Sequence, residues 1–76
     1  MHIDTGNLSA AVWTEAAIRA LGPTTDIPTA GRILGMARSH AYDLARRGEF
    51  PFPTIRVGHR VRVPVPKILS ALGYPP

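Results

Sequence analysis

The sequence predicts a mainly α domain carrying one small β-hairpin, and three observations predict it. Helix start and stop signals recur along the 76 residues, each a capping or proline residue answered by a glycine. Two of the helices so marked are separated by little more than Gly35 and Met36, a helix-turn-helix spacing. Directly after them, residues 54–63 alternate β-branched and basic side chains around Gly58 and His59, the pattern of a hairpin. Together these parts make a winged helix-turn-helix with an extra N-terminal helix.

The chain reads as one domain over residues 1–76: an accessory helix at 8–22, the winged helix-turn-helix at 26–64 and a last helix at 65–73. In the first helix Ser9 serves as N-cap, Gly22 follows the last turn and Pro23 forbids continuation. Its apolar face is Val12, Trp13, Ala16, Ala17, Ala20 and Leu21. Pro23, Thr24 and Thr25 then read as a linker that leaves this helix an appendage. Asp26 caps the second helix, and Pro28 is tolerated in its first turn because the N–H it lacks has no helical partner there. That helix ends near Leu34. Gly35 supplies the positive φ of a sharp turn, and the third helix runs from about Arg38 to Arg47 until Gly48 stops it. Phe50-Pro51-Phe52-Pro53 is too proline-rich for helix or central strand and is expected to cross the core as an extended arm. Residues 66–72 form the short last helix, ended by Gly73.

The hairpin admits two registers. A two-residue Gly58-His59 loop pairs Val57 with Arg60 and Ile55 with Arg62, mixing apolar and charged side chains on each face. A three-residue loop of Gly58, His59 and Arg60 pairs Val57 with Val61, Ile55 with Val63 and Arg56 with Arg62. The second is expected, because it packs four β-branched residues on the core and sends the arginines outward. Its facing arginines repel unless an anion such as a phosphate lies between them.

Charge and composition narrow the function classes. The net charge is +4, and residues 24–63 carry all of it, with seven arginines against Asp26, Asp43 and Glu49. A polyanionic partner fits that distribution. A chain of this size buries only about 60% of its unfolded surface, which leaves a modest core and argues against a deep substrate pocket. No cysteine is present, so there is no disulfide framework or thiolate metal site, in keeping with a reducing compartment. No apolar run is long enough to span a bilayer and the start lacks the pattern of a secretory signal, so a cytoplasmic location without membrane association is expected. Ser39, His40 and Asp43 are the one cluster resembling a hydrolytic set, yet Ser39 and His40 point about 100° apart on one helix, so no catalytic site is expected. His2, His40 and His59 are scattered without an i, i+4 pair, and no metal or other cofactor is expected.

The third helix divides by face. Ala41, Leu44 and Ala45 point to the core, leaving Arg38, Ser39, Tyr42, Asp43 and Arg46 outward, with His40 and Arg47 at the margins. Arginines on such a face can grip guanine or phosphate, Ser39 can donate to either, and Tyr42 can pack on a thymine methyl or a sugar. Taken alone, the helix fits an ordinary solvated face with Asp43 paired to Arg46 or Arg47. The neighbouring hairpin tips the balance: Arg56, Gly58, His59, Arg60 and Arg62 match a wing that follows phosphates or enters a minor groove, although a charged hairpin also protects an edge from aggregation.

Three motifs in order carry a resemblance. They are the run Ala30 to Tyr42 (AGRILGMARSHAY), then RRGEFPFP from Arg46 to Pro53, then RVGHRVRVP from Arg56 to Pro64. Over roughly 45 of 76 residues the chain resembles the excisionase and AlpA-like family of small winged helix-turn-helix proteins, relatives of the MerR DNA-binding domain. The resemblance implies that the helix bearing Arg38, Ser39, Tyr42, Asp43 and Arg46 reads a major groove and that the Gly58-His59-Arg60 wing contacts the adjacent minor groove or backbone. It also implies a recombination directionality factor, one that binds and bends attachment-site DNA so that a phage or plasmid integrase excises a mobile element. Double-stranded DNA, an integrase and cooperative self-association on DNA are the partners it implies. Small transcriptional regulators share the fold. Ala37 departs from the family's usual capping Ser at a cost of about 1 kcal/mol. Gly31 departs from a common Ala and permits a close approach of Ala41 or Tyr42. The N-terminal helix lies outside the resemblance, and a reading of another class makes it, through Trp13, the docking face of an interaction module such as an antitoxin or an integrase-docking peptide.

Overall fold

Most helix ends among the described residues carry a local signal, and the computed structural model, which describes residues 13–75, shows how these pieces close on one another. In chain order they are α1 (Glu15–Arg19), β1 (Thr24–Thr25), α2 (Ile27–Ile33), α3 (Arg38–Arg46), β2 (Ile55–Val57), β3 (Arg60–Pro64) and α4 (Val65–Ala71). Among the described residues, four helices and a three-stranded antiparallel sheet in the order β1-β3-β2 make a mixed α/β domain. The expected mainly α character is therefore corrected by one strand. Thr24 and Thr25 do not form a linker: they pair with Pro64 and Val63, so two β-branched residues extend the hairpin to a third strand.

The Asp26 carboxylate caps α2 by accepting the Thr29 N–H at 2.8 Å, and Pro28 occupies its first turn. At the other end Gly35, with φ of +80°, lets its own N–H reach the Arg32 carbonyl while the Met36 N–H reaches that of Gly31, a Schellman closure. The same paired bonds end α3 and α4. Ala37 occupies the N-cap of α3 with extended dihedrals and makes no side-chain bond there, as its chemistry requires.

The N-terminal helix differs from expectation in extent and in role. Trp13 and Thr14 are not helical, and Thr14 is the cap, its Oγ1 accepting the Ala17 N–H at 3.0 Å. The expected Ser9 cap and the helix over residues 8–12 lie outside the described residues. Ile18, absent from the expected apolar face, is fully buried, whereas Ala16 and Ala20 are exposed. α1 packs on α4, Trp13 and Leu21 lie half-buried against the core, and the Val65 N–H donates to the Pro23 carbonyl at 2.9 Å. α1 is thus a wall of the core and not an appendage, with Trp13 partly buried against it. Ile27 and Ala30 of α2, Ala41 of α3, Phe52, Val63 of β3 and Val65, Ile68 and Leu69 complete that core. Phe52 enters from the proline-rich arm with Phe50 edge-on to it, ring centres 6.0 Å apart.

The hairpin takes the register that was not expected. Ile55 faces Arg62, Arg56 faces Val61 and Val57 faces Arg60 across a two-residue Gly58-His59 loop. Gly58 has φ of +61°, the left-handed conformation that short hairpin loops demand. Apolar alternation dictates register only where a face is buried, and every residue of β2 is exposed. On the other edge of β3, pairing to β1 commits Val63 to the core. That commitment holds in either register, so the turn geometry decides. Ile55 and Val57 remain 44% and 56% exposed, and no arginine faces another across the strands.

Candidate nucleic-acid interface

An open groove of about 910 Å³ runs between α3 and the hairpin. Tyr42, Ala45 and Arg46 form its helical wall, and Ile55, Arg56, His59, Arg60, Val61 and Arg62 form the other. Ile27, at the buried start of α2, lines it as well, with Thr54 and Asp26. The helical wall is oriented by a close approach inside the protein. α2 and α3 cross so closely that a Cβ on Gly31 falls 2.7 Å from the Ala41 Cβ, which turns the opposite face of α3 outward.

On that outward face, Arg38, Ser39, His40 and Tyr42 are exposed. The Arg38 guanidinium lies over the Tyr42 ring, 5.5 Å from its centre, and holds both side chains on one side of the helix. Asp43 pairs with Arg46 at 3.3 Å and with Arg47 at 3.2 Å, and Arg47 also approaches Glu49 at 3.7 Å. Of the site residues expected from sequence, the groove brings together Tyr42, Arg46, Arg56, His59, Arg60 and Arg62. Arg38, Ser39, His40, Asp43, Arg47 and Gly58 are not among its lining residues.

Arg62 has a structural task. Its Nε donates to Thr24 Oγ1 at 3.1 Å and its Nη2 to the Thr24 carbonyl at 3.4 Å, so it clamps the third strand to the first and is half-buried in doing so. By contrast, among the described residues no carboxylate pairs with Arg38, Arg56 or Arg60. Asp26 is the only acid lining the groove among the described residues. Partial burial pushes its carboxyl up, but hydrogen bonds from the Thr29 side chain and backbone, together with the positive charges of Arg62 and Arg32, outweigh that effect and hold it below the usual carboxylate range. Thr24, Asp26 and the exposed Ile55 belong to the site and were not expected there. The place of Thr24 depends on the distant pairing of β1 with β3, and that of Ile55 on the hairpin register.

The chain matches no family model, no curated protein and no solved structure. The site's chemistry therefore stands on its own geometry. Among the described residues no three His, Asp or Glu side chains converge as a metal site, and no helix is long and apolar enough to cross a membrane. What the groove offers is a set of solvent-facing guanidinium groups on two walls, with hydroxyl, imidazole and aromatic groups between them. That arrangement can bind an extended array of anions.

Proposed function

We propose that the chain is a winged helix-turn-helix DNA-binding protein, in which α3 enters a major groove and the β2–β3 hairpin is the wing. The observation that carries this reading is the groove whose facing walls bear Arg46 on one side and Arg56 and Arg60 on the other. Two cationic walls flanking a solvent-open channel suit the paired phosphate rails of a duplex, and the exposed Arg38, Ser39 and Tyr42 on α3 supply donors and an aromatic surface for base edges. Through its resemblance to the excisionase and AlpA-like family, the protein acts as a cytoplasmic, non-enzymatic recombination directionality factor. It loads cooperatively on adjacent sites, bends attachment-site DNA and cooperates with an integrase. A single module contacts few base pairs, so several copies on short direct repeats add specificity and curvature.

The test is binding of the full chain to labelled duplex DNA over a range of salt. Affinity is expected to fall linearly in log–log form with salt, and fragments carrying repeats are expected to give at least two retarded complexes with position-dependent mobility. Absence of duplex binding at low salt overturns the proposal. A single complex on straight DNA leaves the DNA-binding reading and replaces the excisionase reading by that of a transcriptional regulator.

A further inference from the structure

The three hairpin arginines stand in different surroundings. Arg56 and Arg60 are exposed and no carboxylate among the described residues pairs with them, whereas Arg62 is half-buried on the central strand. Arg62 and Pro64 lie two residues apart on β3 and share a face, and Pro64 pairs with Thr24, so Thr24 is the diagonal neighbour of Arg62 on β1. The side chain uses that reach, with Nε donating to Thr24 Oγ1 at 3.1 Å and Nη2 to the Thr24 carbonyl at 3.4 Å. Strand pairing leaves that carbonyl free. The Val65 N–H donates to the Pro23 carbonyl, and antiparallel alternation then makes Thr25 and Val63 the next hydrogen-bonded pair, with the Thr24 carbonyl pointing away from β3.

Resting on the duplex-binding reading, we infer that Arg62 is a positioning residue and not a phosphate ligand: by clamping Thr24 it fixes the pitch of the hairpin against α3, and with it the width of the groove between them. The hairpin needs such a device. Every residue of β2 is exposed, so the hairpin projects from β3, and the strand along the other edge of β3 is only two residues long, too short to be stable alone. Thr24 leads directly to Asp26, the cap of α2, and α2 packs on α3, so a bond from β3 to Thr24 joins the hairpin wall of the groove to the helical wall by a short path. Arg62 itself lines that groove, yet two of its donors already serve Thr24. A wall held at one pitch before binding loses less freedom on binding, which is how an internal bond raises affinity without touching the ligand.

The experiment titrates the full chain and the variants Thr24→Val, Thr24→Ser, Arg62→Lys and Thr24→Val/Arg62→Lys with duplex DNA over a range of salt, at a temperature where circular dichroism shows each to be folded. Thr24→Val changes no charge and is expected to weaken binding about ten-fold, the bias that one charge-assisted hydrogen bond imposes, with the salt slope unchanged. Thr24→Ser keeps the hydroxyl acceptor and is expected to bind as the wild type does. Arg62→Lys keeps the charge and loses the two-pronged reach, so it is expected to lose as much as Thr24→Val, and the double variant no more than either. A phosphate ligand behaves in the opposite way: Arg62→Lys then retains affinity and Thr24→Val binds as the wild type, and that result overturns the inference. The chain contains no cysteine, so spin labels at Ser39→Cys and His59→Cys report the distance from α3 to the hairpin tip without DNA. That distance distribution is expected to broaden in the Thr24→Val background. An unchanged distribution overturns the inference whether or not DNA binds, whereas failure of the wild type to bind duplex at low salt overturns the duplex reading and leaves the positioning to the distance measurement. Should Thr24→Val not fold, Arg62→Lys carries both comparisons.

Discussion

Gly31 and Ala41 meet where α2 crosses α3, and a Cβ built on Gly31 falls 2.7 Å from that of Ala41, with the Met36 side chain 3.5 Å away on the same spot. Gly31→Ala forces helices that are already in contact apart. Overpacking of this kind costs about 1–3 kcal/mol, against roughly 1 kcal/mol regained from helix propensity. Net destabilisation is expected, read as a lower urea midpoint and a lower Tm. A midpoint equal to or above that of the wild type shows that the crossing relaxes freely.

Ile18 anchors α1 with no exposed surface, beside Ile68 and Leu69 of the same core cluster. Ile18→Ala is expected to cost about 2–5 kcal/mol, much of the stability of a domain this size. Deleting the chain through Gly22 removes the same anchor and is expected to abolish cooperative unfolding. Retention of a sharp thermal transition by the truncated chain contradicts the assignment of α1 to the core.

Asp43 holds Arg46 and Arg47 in the free protein through ion pairs whose members are all substantially exposed. Such pairs contribute only about 0.3–0.5 kcal/mol, and a carboxylate in the last turns of a helix opposes the helix dipole. Asp43→Asn is therefore expected to change stability little while freeing Arg46 and leaving Arg47 only its longer approach to Glu49. Affinity for random-sequence DNA should rise and its salt dependence steepen. A weaker interaction specific to one target sequence identifies Asp43 as a base-reading acceptor instead.

The depressed Asp26 pKa makes stability depend on acid. A carboxyl that gives up its proton more readily in the folded state contributes stability that is present above its unfolded value, near 3.8, and is lost as pH falls through the lower folded value. Urea midpoints are expected to hold from neutral pH down to about pH 5 and then decline, with part of the decline traceable to this residue. Asp26→Asn keeps a capping acceptor for the Thr29 N–H and removes the titration, so its decline should be shallower. Parallel pH profiles for the two proteins exclude Asp26 as a contributor.

Helix boundaries were legible because their causes lie within four residues. The Asp26 carboxylate meets an N–H three positions on, and the chain reversal at Gly35 needs only its own φ and the carbonyls of Gly31 and Arg32. The outward face of α3 was legible for a similar reason: Ala41 marks the buried side, and helical spacing then places Arg38, Tyr42 and Arg46 opposite. In α1 the alanines have little surface to bury, so Ile18 supplies the anchor and the Thr14 side chain the cap, neither of which stands out from an alanine-rich pattern.

Sequence by itself determined the order of the elements, where α2, α3 and α4 end, and the concentration of arginine on α3 and the hairpin, since these follow from caps, glycines and charges in place. Tertiary structure alone decided that Thr24 and Thr25 are a strand, that α1 closes the core, and that Ile55 and Val57 face outward beside Arg60. The physical reason is range. A two-residue strand has no local stability and forms only because Thr25 meets Val63 from far along the chain, whereas both hairpin registers satisfy their own hydrogen bonds and the choice between them falls to the turn at Gly58.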